Sequence, residues 1–148
     1  MTTEESIKML AILKSAYPNS FKNITEETAT GIINTWALHF KDISAFIVWM
    51  ALNKHISTIK YPPTISEIKD KIKNLYYESL ETMILYRNGL MELDEKKVRM
   101  FKSIMDELEP YINDKKIEPT VNELLDGFDN QIQLNNENTL KGKKAYLE

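Results

Sequence analysis

Apolar residues recur at helical spacing along the first ninety residues of this 148-residue chain, and strand-like alternation is rare. The capping box Thr2-x-x-Glu5, in which each side chain satisfies a backbone N–H group of the other residue, predicts a first helix from about Thr3 to Ala16. Thr25 can cap a second helix that runs to about Phe40. The predicted apolar stripes are Ile7, Leu10, Ala11 and Leu13 on the first helix and Ile32, Ile33, Trp36 and Phe40 on the second.

A third helix is predicted from a segment that is apolar all round. Asp42 is its expected cap, Ser44 lies in its first turn, and residues 45–52 read Ala-Phe-Ile-Val-Trp-Met-Ala-Leu. A short helix that is apolar on every side is expected to be buried by its neighbours, because it has no polar face for solvent.

A rigid linker, Tyr61-Pro62-Pro63, separates this helix from the fourth, since proline fixes φ and restricts the residue before it. Thr64-x-x-Glu67 is a second capping box, and Asn88-Gly89 is the expected C-terminal cap of the long helix that follows. Its apolar positions are Ile65, Ile68, Ile72, Leu75, Tyr76, Leu80 and Met83. The first 89 residues are therefore predicted to form a compact domain of four helices.

Residues 90–148 are predicted to form a C-terminal arm. An amphipathic helix is expected at about 93–108, where Pro110 stops it, and a short helix at about 120–128. The polar tail that follows lacks apolar residues to pack, so we expect it to be disordered in isolation. The predicted fold is all-α, with a four-helix N-terminal domain, an amphipathic helix and a flexible arm.

The composition argues against most kinds of active site. The chain has no cysteine, and its two histidines, His39 and His55, match no metal-binding spacing. No phosphate-binding glycine loop or hydrolase motif occurs, so we expect no metal, no cofactor and no enzymatic activity. His55, near the end of the third helix, is expected to have a core role or to contact the last helical carbonyl groups.

Charge and hydropathy restrict the partner and the location. The formal net charge is −3 and the pI is about 5.5, whereas nucleic-acid-binding domains usually carry a basic surplus. No apolar run approaches the roughly 20 residues of a membrane span, and the N-terminus is acidic, so a cytoplasmic protein is expected. Trp36 and Trp49 could stack on nucleic-acid bases, but they lie on apolar helical faces without a basic cluster, which favours core packing.

The arm contains the best candidates for partner binding. Its first helix carries Phe101, Ile104 and Leu108 on one face, which either bind a partner groove or dock back onto the N-terminal domain. For the short second helix a partner is favoured, because a short isolated helix is marginal in water. Its apolar residues are Val121, Leu124, Leu125 and Phe128.

The order of these features resembles a known family. Ala16-Tyr17-Pro18 is followed by Phe21, by the helix with Trp36 and Phe40, by the apolar helix, and by the segment Lys60-Tyr61-Pro62-Pro63-Thr64-Ile65-Ser66-Glu67-Ile68. Residues 7–72 thereby resemble the small replicative-helicase loader and inhibitor proteins of phages that infect Gram-positive bacteria. Tyr61, Pro62, Pro63, Thr64 and Glu67 form the most specific part, although each has a structural role as a proline turn or a helix cap.

The resemblance implies a protein that binds the hexameric DnaB-type replicative helicase, restrains its activity and delivers it to an origin-bound initiator in the bacterial host cytoplasm. It also implies that the C-terminal region contacts the helicase. The alternative is a DNA-binding regulator of replication or transcription, with a helix-turn-helix in residues 25–58. Against it, the third helix is too apolar for a recognition helix and Lys/Arg residues do not cluster there.

Overall fold

The computed structural model describes residues 1–112, in which every regular element is a helix. The elements are α1 (Thr3–Ala16), α2 (Pro18–Phe21), α3 (Glu26–His39), α4 (Ala45–Thr58), α5 (Ile65–Arg87) and α6 (Glu95–Ile112). The prediction of an all-α fold is confirmed. The chain divides into two compact units, Met1–Leu75 and Tyr76–Glu148, so that α5 contributes to both. The domain boundary predicted at residues 89 and 90 stays a prediction.

Helix α1 begins as the sequence predicts and packs against α3 and α4. Glu5 N donates to Thr2 Oγ1, and Thr2 N donates to Glu5 Oε1, each at 3.1 Å. The buried face is rotated from the predicted stripe, because Ile7 and Ala11 are exposed. It consists of Ser6, Met9, Leu10 and Leu13. The Ser6 hydroxyl donates to the Thr2 carbonyl at 2.9 Å, and this hydrogen bond makes a buried serine tolerable.

A one-turn helix, α2, follows α1 directly and was not predicted. Tyr17 ends α1, its N–H donating to the carbonyl of Leu13 at 2.8 Å. Pro18 then occupies the first turn of α2, where its missing N–H costs nothing. The proline therefore both ends one helix and starts the next.

Helix α3 is capped by Thr25, whose Oγ1 accepts from the N–H of Thr28 at 3.1 Å. The helix ends at His39, close to the predicted Phe40. Trp36 and Phe40 are buried with their ring centroids 5.5 Å apart, as core packing predicts.

Helix α4 differs from the prediction in its cap and in its burial. Ser44, with extended backbone (φ −63°, ψ 147°), is the N-cap residue, so the expected cap Asp42 was wrong and lies in the preceding turn. The helix buries one face only, which comprises Ala45, Ile47, Val48, Ala51, Leu52 and His55. Phe46 is 54% exposed, and Trp49 is only half-buried. The expectation of burial on all sides was therefore wrong.

The end of α5 forms a Schellman motif. Gly89 has φ +72°, a conformation that only glycine adopts without strain. Its N–H donates to the carbonyl of Tyr86 at 3.1 Å, and the N–H of Leu90 donates to that of Leu85 at 2.9 Å. The predicted Asn88-Gly89 cap is confirmed. Buried residues of α5 are Ile68, Ile72, Leu75, Tyr76, Ser79, Leu80 and Met83.

Helix α6 is capped by Asp94, whose Oδ1 accepts from the N–H of Lys97 at 2.8 Å. The expectation that Pro110 stops the helix was wrong, since Pro110 lies inside α6, which continues to Ile112. Proline removes one backbone hydrogen bond and crowds the carbonyl one turn earlier. Pro110 lies two residues before Ile112, the last described residue of α6.

Candidate functional site

His55 fixes the proline linker to α4. Its imidazole is completely buried, and Nε2 donates to the carbonyl oxygen of Tyr61 at 2.9 Å. A carbonyl only accepts, so Nε2 carries the hydrogen, while Nδ1 is buried with no hydrogen-bond partner among the described residues. The core role expected for His55 is therefore found, but its hydrogen bond reaches Tyr61, beyond the last carbonyl groups of the helix.

A second anchor lies just before the linker. The buried Tyr17 hydroxyl donates to the carbonyl oxygen of Ile59 at 2.9 Å. Burial raises the pKa of Tyr17, and the negative charge of Glu67 raises it further. The phenol thus stays protonated as the donor. The carbonyl groups of Ile59 and Tyr61, on either side of Lys60, therefore each accept a hydrogen bond from a buried side chain. The donors are Tyr17, at the end of α1, and His55, on α4.

The second capping box completes the linker. Thr64 N donates to Glu67 Oε1 and Glu67 N donates to Thr64 Oγ1, each at 3.1 Å. The hydrogen bond from the Thr64 backbone lowers the pKa of the Glu67 carboxyl group, so the carboxylate form is favoured. Pro63 is buried and Pro62 half-buried, whereas Tyr61 is 59% exposed, with its ring centroid 6.1 Å from that of the His55 imidazole. The motif is thus a rigid backbone segment that presents one aromatic ring.

An apolar surface runs along α4 opposite its buried side. Phe46 is exposed, and Trp49 and Met50, one turn further on, are half-buried. These three residues lie at positions i, i+3 and i+4 and form this surface. Sequence reasoning missed it, because a helix that is apolar all round gives no periodic signal of which side is exposed.

The predicted partner-binding residues of α6 are mostly covered. Ile104 and Leu108 are buried and Phe101 is half-buried. Burial and the charge of Asp106 raise the pKa of the neighbouring Glu109. Partner contact through Ile104 and Leu108 would require their exposure, so their binding role stays a prediction. Outside the described residues lie the other candidates, Val121, Leu124, Leu125 and Phe128.

The described part of the chain offers neither a metal site nor a membrane span. Within residues 1–112, no group of three or more His, Asp or Glu side chains could hold a metal ion. Among the six helices described, none has the length and apolarity needed to cross a membrane.

Residues 1–69 match a family model that describes the N-terminal domain of the helicase loader/inhibitor of phage SPP1. The first unit therefore resembles a phage helicase-loader domain. This match confirms the resemblance found in the sequence, and it covers α1–α4, the proline linker and the start of α5. No curated protein and no solved structure matches the chain.

Proposed function

We propose that this chain is a replicative helicase loader and inhibitor. It binds the hexameric DnaB-type helicase of the host, restrains its activity and delivers it to an origin-bound initiator. The match of residues 1–69 to the N-terminal domain of the phage SPP1 loader is the observation that carries the proposal. The segment Tyr61–Glu67 is the most specific part of the resemblance. Its hydrogen bonds at Tyr61 and Glu67 fix the backbone of this segment, which gives a physical reason why these residue types occur there.

Binding by contact alone suits the described residues. Their ionisable groups do not gather into a metal-binding cluster, and the buried His55 is engaged in holding the linker. We therefore expect no catalytic activity, and we expect the protein to act in the host cytoplasm, where its partner helicase works.

The C-terminal arm is the proposed helicase contact. Val121, Leu124, Leu125 and Phe128 have the spacing of an apolar stripe that fits a groove on a partner. Three further residues on α6 are proposed to join this contact if helicase binding exposes their side chains: Phe101, Ile104 and Leu108. Two contacts on one chain raise the affinity beyond either alone, since the second binding event becomes intramolecular.

A pull-down with the purified host helicase, with and without ATP, tests the proposal. Retention of the helicase under at least one condition is expected, and retention under neither would refute it. A DNA shift assay at low salt is the companion measurement. Tight, salt-sensitive binding of DNA by the protein alone would favour the alternative, a DNA-binding regulator.

A further inference from the structure

We infer that Asn88 is a site of spontaneous deamidation, and that the folded end of α5 holds this reaction back until the turn between α5 and α6 opens. Asn88 is the only asparagine in the sequence that is followed by glycine. Glycine has no side chain, so nothing on Gly89 hinders the approach of its backbone nitrogen to the Asn88 amide when the chain is open. The inference concerns the chemistry of the chain itself and is independent of the proposed function.

The reaction is a cyclisation followed by hydrolysis. The Gly89 backbone nitrogen loses its proton to water or hydroxide, and its electron pair forms a bond to Cγ of Asn88. The bond from Cγ to Nδ2 breaks, and Nδ2 leaves as ammonia after it takes up a proton from water. Water then opens the succinimide ring at either of its carbonyl groups. The product is aspartate or isoaspartate at position 88, and water is the only co-reactant.

Two hydrogen bonds in the folded protein oppose this cyclisation. The N–H of Gly89 donates to the carbonyl of Tyr86 at 3.1 Å, so its proton is engaged within the turn. Nδ2 of Asn88 donates to the carbonyl of Ile84 at 2.9 Å, which restrains the rotation that brings Cγ onto the Gly89 nitrogen. Both hydrogen bonds must break before the ring closes, so the rate in the folded protein depends on local opening.

The Schellman motif controls how often this turn opens. Gly89 keeps its φ of +72° while the N–H of Leu90 donates to the carbonyl of Leu85 at 2.9 Å. The Leu90 side chain is mostly in solvent, since the residue is 74% exposed, so the backbone N–H is its main contribution to the motif. A substitution at position 90 can therefore open the cap while Asn88 and Gly89 stay unchanged.

Deamidation favours the open turn and does not reverse. Aspartate at position 88 lacks the Nδ2 donor and places a negative charge beside the carbonyl of Ile84, at the negative end of the α5 dipole. Isoaspartate adds a methylene group to the backbone before Gly89, which disturbs the spacing of the Schellman hydrogen bonds. Either product weakens the cap that delayed its formation, so the modification is a one-way change at the end of α5.

Peptide mapping by mass spectrometry tests the site and its protection. The full-length chain is incubated at mildly alkaline pH with and without denaturing urea, and deamidation at each asparagine is followed over time. In urea, Asn88 should react faster than every other asparagine. In the folded chain its reaction should be about tenfold slower or more, because the turn must first open. Equal rates at Asn88 in the two conditions, or a faster reaction in urea at another asparagine, would overturn the inference.

Two variants at position 90 test the role of the cap in the folded chain. Leu90→Pro removes the N–H that donates to Leu85 and disfavours the backbone conformation of Gly89, whereas Leu90→Ala keeps the N–H and shortens an exposed side chain. Asn88 should deamidate about threefold faster or more in folded Leu90→Pro, as expected for the loss of one hydrogen bond, while Leu90→Ala matches wild type. Circular dichroism checks that both variants are folded. Equal rates in the two folded variants would overturn protection by the cap.

Asn88→Asp reproduces one of the products and tests its effect on the cap. Asn74→Asp makes the same change of charge at an exposed position inside α5 and is the matched control. At neutral pH the melting temperature should fall more for Asn88→Asp than for Asn74→Asp, because only position 88 loses a hydrogen bond to Ile84. Equal melting temperatures of the two variants would refute a one-way change at the end of α5.

Discussion

The buried Nε2 of His55 donates a 2.9 Å hydrogen bond to the carbonyl oxygen of Tyr61, and this contact joins α4 to the segment that leads into α5. Tyr61 stays exposed as a residue while its backbone carbonyl is fixed. His55, for which the sequence predicts only a core or helix-end role, is in this way the residue that holds the proline linker.

His55→Phe should lower the free energy of unfolding by about 1–3 kcal/mol, because the phenyl ring fills much of the same space but leaves the Tyr61 carbonyl without its donor. Urea denaturation followed by circular dichroism measures the change. Asn53→Ala, at an exposed position of the same helix, should stay within about 0.5 kcal/mol of wild type. Equal stability of His55→Phe and wild type would show that the hydrogen bond contributes nothing.

The two tryptophans should differ in their contribution to stability. Trp36 is 6% exposed, so Trp36→Ala should cost about 3–5 kcal/mol. Trp49 is half-buried, so Trp49→Ala should cost less than about 3 kcal/mol, which is below the value expected for a fully buried ring. Chemical denaturation of both variants checks the order. A larger loss for Trp49→Ala would contradict the assignment of its outer side to a surface.

The capping box at α5 should make stability depend on pH in the acidic range. The folded-state pKa of Glu67 lies below its ordinary value of 4.5, because Thr64 N donates to the carboxylate. Its stabilisation is therefore present above pH 4.5 and is lost as the pH falls through the lower folded-state value.

Glu67→Gln retains a capping side chain but cannot ionise, so its melting temperature should fall less between pH 7 and pH 3 than that of wild type. Thermal melts at several pH values measure this difference. Glu81→Gln, at an exposed position of α5, is the control and should follow the wild-type curve more closely. An identical pH profile for Glu67→Gln and wild type would rule out the carboxylate as a source of the acid sensitivity.

The arm should bind without stabilising the N-terminal unit. Replacing Leu124, Leu125 and Phe128 together by Ala should weaken helicase binding, because it removes most of the predicted apolar stripe. The helical signal and the melting temperature should stay close to wild type. A loss of helical signal comparable to that of Trp36→Ala would mean that the three residues belong to the core.

Local signals in the sequence were sufficient for much of the fold. Both capping boxes and the Gly89 cap need only a few neighbouring residues, so they could be recognised without tertiary information. The α4 cap was misplaced because Asp42 and Ser44 are both good caps two positions apart. Pro110 was misread because proline can also lie inside a helix, where it removes one backbone hydrogen bond without ending the helix.

The candidate site was harder to predict. The hydrogen bonds from His55 to Tyr61 and from Tyr17 to Ile59 join residues on different elements, and no local pattern indicates them. The exposure of Phe46 depends on which side of a uniformly apolar helix meets the core. The family resemblance, by contrast, was carried by the order of features up to Ile68, and the family match over residues 1–69 confirms it.

Sedimentation velocity of the full-length chain mixed with the purified host helicase, with and without ATP, tests the central claim most directly. Helicase binding predicts that the chain moves from its slow free boundary into a fast boundary with the hexamer in at least one nucleotide state. A chain that sediments at its free rate in both states, at concentrations well above micromolar, would contradict the claim.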